Sequence, residues 1–212
     1  MKKTYLTDEQ YKYALNEIDC FQVSLDAVDF RPDLFTGYER IAVVGPQRSG
    51  TTFTGQALAD ALAFNSVDES AFGVRDKQRF AKIWQNRNIV VQAPAMTHCI
   101  HTVAGPNDLV VFMTRKWSDI LKSVKRKNGR LSTNILSRVS VPMDRVPFLE
   151  ADPETQQTYD RVNNPSTYYN MWKHYQRKKI PNAIALNYES MNQHPMWKDK
   201  DLRANFTAKQ TK

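Results

Sequence analysis

Arg40-Ile-Ala-Val-Val-Gly-Pro-Gln-Arg-Ser-Gly-Thr-Thr-Phe53 begins as a short apolar run, passes through a loop bounded by Gly45 and Gly50, and enters a helical stretch. A strand, a glycine-bounded loop and a helix in this order make a phosphate cradle, because backbone N–H groups and the positive helix end face the same space. The spacing of the two glycines is that of an ATP-binding loop, G-x-x-x-x-G-K-[ST], in which the lysine reaches the β- and γ-phosphates and the hydroxyl holds Mg²⁺. Thr51 stands at the lysine position. The loop can therefore grip a phosphate but is poorly equipped for a triphosphate with its metal.

Working outward, four short, mostly continuous apolar runs are expected to be strands: 41–44, 88–92, 109–114 and 183–187. Helical segments are expected at 51–63, 75–86, 117–127 and 166–179, and Thr7 with Gln10 reads as a capping box opening a helix over 7–19. Strands apolar on both faces and alternating with helices predict a parallel sheet of about four to five strands flanked by helices. The expected fold is a three-layer α/β domain of the P-loop NTPase-like kind. It covers 1–212 as a single domain, with an N-terminal helical arm (1–37), a long loop or insertion (129–164) and a C-terminal tail (198–212). Ligands of such sheets bind beyond the carboxyl ends of the strands.

The net charge of +8 favours anionic ligands without choosing among nucleotides, acidic glycans and nucleic acid. Two cysteines, Cys20 and Cys99, are too few for a disulfide framework or metal site, which points to a reducing compartment. No apolar run is long enough to span a membrane, and Lys2-Lys3 leads into a polar stretch rather than a signal region, so a cytoplasmic location is expected.

After the third strand, Arg115 falls at its carboxyl end and Ser123 eight residues on in the next helix. A strand-end arginine and a hydroxyl on the following helix can clamp one phosphate, although a surface arginine and an unrelated helix serine would read the same way. Combined with the first loop, the pair resembles the 3′-phosphoadenosine 5′-phosphosulfate (PAPS) dependent sulfotransferases. Those enzymes carry P-[KR]-S-G-T-T-[WF], matched by Gln47-Arg-Ser-Gly-Thr-Thr-Phe53 apart from glutamine at the first place. They also share the Arg…Ser spacing of eight and a Y-E-[DS]-[LM] motif, here Tyr188-Glu-Ser-Met191. The likeness covers roughly residues 38–192.

The resemblance implies PAPS as sulfate donor, bound by Gln47, Arg48, Ser49, Gly50, Thr51 and Thr52 at the 5′-phosphosulfate, by Arg115 and Ser123 at the 3′-phosphate, and with Phe53 near the adenine. It implies no metal. Arg48 would stabilise charge on the leaving phosphate, being too basic to give up a proton. The acceptor hydroxyl, or an amine, on a carbohydrate or small molecule needs a base, for which two candidates stand open. Glu69 resembles the carboxylate of glycan and protein sulfotransferases, whereas His98 resembles the histidine of the small-molecule branch. The family's C-terminal R-K-G has no counterpart, and Gln92 stands where several glycan-modifying relatives have lysine. Two rivals remain, an ATP-dependent small-molecule or nucleoside kinase with an atypical loop, and a basic nucleic-acid-binding module; nucleic acid is the less expected partner.

Overall fold

A computed structural model describes residues 27–45, 48–72, 77–97, 100–116, 119, 120, 122, 123, 126 and 180–210. The helices expected at 7–19 and 166–179, the insertion at 129–164, and the site residues Gln47 and His98 lie outside the described residues.

Five strands form one parallel sheet: β1 Arg40–Val44, β2 Asn65–Val67, β3 Ile89–Gln92, β4 Asp108–Thr114 and β5 Ala183–Asn187, in the order β2-β3-β1-β4-β5. The four apolar runs read from the sequence are the four strands β1, β3, β4 and β5. The fifth, β2, is a three-residue Asn-Ser-Val edge strand, too short and polar to register as an apolar run. Its position follows from how the preceding helix stops. Helix α1, Thr51–Leu62, ends at Ala63 in the left-handed region (φ 54°), with Ala63 N–H donating to Asp60 O (3.3 Å) and Phe64 N–H to Ala59 O (2.8 Å). That closure satisfies the last carbonyls and delivers the chain directly to the sheet edge.

Both faces of the sheet are buried, which is why its strands read as continuous rather than alternating apolar runs. On one face Ile41, Val43, Val90, Leu109, Val111, Met113 and Leu186 pack with Phe53, Ala57 and Leu58 of α1. The alternate residues Ala42, Val44, Val91, Val110 and Phe112, all fully buried, point to the other face by the two-residue period of a strand. Helix α2, Lys77–Trp84, joins β2 to β3, and a right-handed crossover returning in that direction puts it on the face opposite α1. It brings Phe80 against Phe72 (5.0 Å) and against Trp84 (5.8 Å). Helical backbone at 119, 120, 122, 123 and 126 falls within the segment expected to be helical after β4.

Towards the two ends of the described residues, further segments join the sheet and its α1 face. Val28 pairs in parallel with Leu186, its N–H donating to Ala185 O (2.9 Å), so the described part of the arm extends the β5 edge. After β5, a turn of 3₁₀-helix at 188–193 leads to the short helix α3, Pro195–Lys198, and then to α4, Lys200–Gln210. Met191, Met196 and Trp197 pack onto the α1 face, so this stretch is part of the core. Among the described residues no helix is long and apolar enough to cross a membrane.

Candidate functional site

The loop after β1 leaves the sheet at its centre, with β3 and β4 on either side, and the surrounding residues hold it closely. Gly45 has φ 125°, and a Cβ there would lie 2.9 Å from Met113 O, so only glycine lets the loop depart beside β4. Its N–H donates to the Thr97 hydroxyl (2.9 Å), and that hydroxyl donates to Pro94 O (2.6 Å), tying the start of the loop to the segment after β3. Arg48 adopts φ 71° and Gly50 φ 100°, two left-handed residues that turn the chain into α1. A Cβ on Gly50 would overlap the Tyr188 ring, so the end of β5 closes directly over the loop. The N-terminus of the twelve-residue α1 opens onto this turn with no side chain capping it, and helix ends of this kind favour anions.

Three of the anticipated phosphate ligands meet here. Arg115 Nη1 donates to the Arg48 carbonyl (2.9 Å), and Arg48 Nε donates to Ser123 Oγ (3.2 Å). Arg48 thus bonds both to Arg115, through its backbone, and to Ser123, through its side chain, the two residues that the sequence read as a clamp for one phosphate. The Arg115 guanidinium lies over the Tyr188 ring, 4.4 Å from its centre. Its Nε is buried and lacks a hydrogen-bond partner among the described residues. Neither arginine has a carboxylate partner among those residues. Two guanidiniums, an unmatched buried donor and a helix N-terminus around one loop constitute a demand for negative charge.

The remaining loop residues divide by burial. Ser49 and Thr51 are buried, whereas Thr52 is exposed in the first turn. Phe53 is turned into the core, 8% exposed, with Trp197 edge-on at 5.3 Å, His194 at 6.4 Å and the Arg203 guanidinium 5.9 Å from its ring centre. The place near the adenine that the resemblance implied for Phe53 belongs to a ring whose described neighbours are Trp197, His194 and Arg203. Glu69 opens a short 3₁₀ turn, Glu69–Ala71, immediately beyond β2, with Asp68 capping it through Ser70 N–H (2.9 Å). It is joined to the loop by Gln92, whose Oε1 accepts from Glu69 N–H (3.2 Å) and whose Nε2 donates to Thr51 Oγ1 (3.2 Å).

Behind the loop, burial lowers the pKa of His194, with Asp60 partly opposing the shift. His194 Nδ1 accepts from Met196 N–H (3.2 Å) at the start of α3, a bond that requires the neutral ring.

Gln92, Thr97 and Tyr188 do work at the site that the sequence did not assign to them. Gln92 was marked in the sequence only by the lysine it lacks, yet a polar residue closing the apolar run Ile89-Val-Val91 is itself a signal of a strand end at a site. Tyr188 appeared in the sequence only as the first residue of a motif; the residue it covers, Gly50, is 138 positions away in the chain, and no local pattern reveals that contact. Comparison with protein-family models, with curated proteins and with solved structures returns no match.

Proposed function

We propose that this chain is a PAPS-dependent sulfotransferase built on a P-loop nucleotide-binding type of α/β domain, acting on a hydroxyl or amine of a carbohydrate or small molecule. The observation that carries the reading is the convergence of Arg48, Arg115 and Ser123 at the loop between β1 and α1, with Arg115 Nε buried and unmatched. A nucleotide with two separated phosphates suits that arrangement, one for the loop and one for Arg115 and Ser123. The bound nucleotide would supply the sulfuryl group and the leaving phosphate.

The chain's own residues then have distinct tasks. The loop backbone and the α1 N-terminus hold an anionic group, and Arg48 balances charge that grows on it without exchanging a proton. Arg115, over the Tyr188 ring, and Ser123 fix the second phosphate. Glu69 or His98 accepts the proton released as the acceptor oxygen or nitrogen bonds to sulfur and the bond from sulfur to the phosphate oxygen breaks. Positioning and charge balance carry most of the rate in transfers of this type.

Calorimetry with adenosine 3′,5′-bisphosphate in metal-free buffer tests the reading, and micromolar or tighter binding is the expected result. Binding of ATP with Mg²⁺ and not of the bisphosphate would replace it with a kinase. Salt-sensitive binding of RNA or DNA with no response to either nucleotide would replace it with a nucleic-acid module.

A further inference from the structure

Gln92 is buried, 7% exposed, at the carboxyl end of β3, where an unpaired amide would be costly. Its two hydrogen bonds fix which way the amide faces. The Glu69 backbone N–H can only donate, so the oxygen of Gln92 must face it and the NH₂ must face Thr51. That NH₂ accepts nothing, so it occupies a lone pair of Thr51 Oγ1 and leaves the threonine's own proton to find another acceptor. No acceptor for it is present among the described residues, and Thr51 is the first residue of α1, whose N-terminus has no side-chain cap. One amide therefore sets the direction of a hydroxyl donor in the loop and, at its other end, anchors the turn that carries Glu69.

We infer that Gln92 is a positioning residue: it commits the Thr51 hydroxyl to donate to a phosphate or sulfate oxygen in the β1–α1 loop, and it tethers the Glu69 turn to that loop. The inference rests on the reading of the loop as an oxyanion site, and it concerns a residue that contacts the ligand only through Thr51. The lysine that relatives place here carries a charge of its own, whereas Gln92 gives direction to a hydroxyl.

A double-mutant cycle tests it, with the dissociation constant for adenosine 3′,5′-bisphosphate as readout and the thermal melt of each protein as a check on folding. Gln92→Met and Thr51→Val keep the volumes and remove the hydrogen bonds. Each is expected to weaken binding about tenfold, which is the loss of one directed hydrogen bond. Because Gln92 acts only through the hydrogen bond that the Thr51 hydroxyl donates, the double variant should be no weaker than Thr51→Val alone. Thr51→Ser, which retains the hydroxyl, should stay within about twofold of the parent in the Gln92 background and become sensitive to Gln92→Met. Losses that simply multiply in the double variant, or folded Gln92→Met protein with parental affinity, overturn the inference while leaving the nucleotide site intact. A parent protein that binds neither the bisphosphate nor inorganic pyrophosphate overturns the oxyanion reading and the role of Gln92 together.

Discussion

The two ends of the sheet use arginine in opposite ways. At the amino end, Arg40 opens β1 directly across from Asp108 of β4, and its Nε meets Asp108 Oδ1 at 2.5 Å. The carboxylate is 1% exposed, its second oxygen accepts from Gly105 N–H (2.8 Å), and Arg40 also donates to Trp84 O (3.2 Å). Every charge there is answered from within the chain. At the carboxyl end, Arg48 and Arg115 bond only to a serine hydroxyl and a backbone carbonyl among the described residues, and one buried N–H has no partner. A guanidinium matched by a carboxylate maintains the fold, and on the proposed reading one left unmatched among the described residues serves an anion from outside.

The sharpest way to break this contrast is to exchange the consequences of losing each arginine. Arg40→Ala would strand a buried carboxylate and should cost about 3–5 kcal/mol of stability in urea unfolding, with nucleotide affinity per folded molecule unchanged. A loss below about 1 kcal/mol would mean that the amino-end pair contributes no more than a surface ion pair. Glu69→Gln should lower turnover by about 10²-fold while leaving the dissociation constant of the bisphosphate within about twofold, measured by sulfate transfer to a screened acceptor. Near-parental turnover would move the base role to His98. Arg115→Ala should weaken the bisphosphate by about thirtyfold with little change in melting temperature, the mirror image of Arg40→Ala. A melting temperature that falls while affinity holds would make Arg115 a structural residue like Arg40.

The smallest expected effect lies between the two ends, at His194. Its folded pKa is lowered, so the unfolded chain takes up the proton first as the pH falls below the ordinary histidine value, and the folded state loses stability over that interval. The contribution is fully present above the unfolded pKa of about 6.5. Melting curves recorded between pH 7 and pH 5 should show this decline, and His194→Asn, which can still cap α3 but does not titrate, should flatten that component. A slope unchanged by the substitution would assign the pH dependence to other groups.

Much of the sheet was legible because its signal is local. The residues 41–44, 89–91 and 109–113 are buried on both faces, and a continuous apolar run is what such burial demands. β2 escaped because three residues at an edge need no apolar side chains, only the ladder to β3. α4 escaped because its polar sequence shows no strong helical stripe and gains its place by packing at the end of the chain. At the candidate site, Arg48 was singled out by its motif and Arg115 and Ser123 by their spacing, yet the hydrogen bond from Arg48 to Ser123 was not legible. Nor was the core packing of Phe53, because an aromatic after the loop reads identically whatever it faces.

By itself the sequence determined the parallel sheet, the left-handed glycines of the loop and the absence of the ATP-type lysine, all of which depend on residues close together in the chain. Only the tertiary structure decided that Tyr188 closes over Gly50, that Arg48 bonds to both Arg115 and Ser123, and that Gln92 links Thr51 to Glu69. Those contacts join residues tens to more than a hundred positions apart, and side-chain hydrogen bonds over such distances are set by how the strands are ordered in the sheet, which no local pattern encodes.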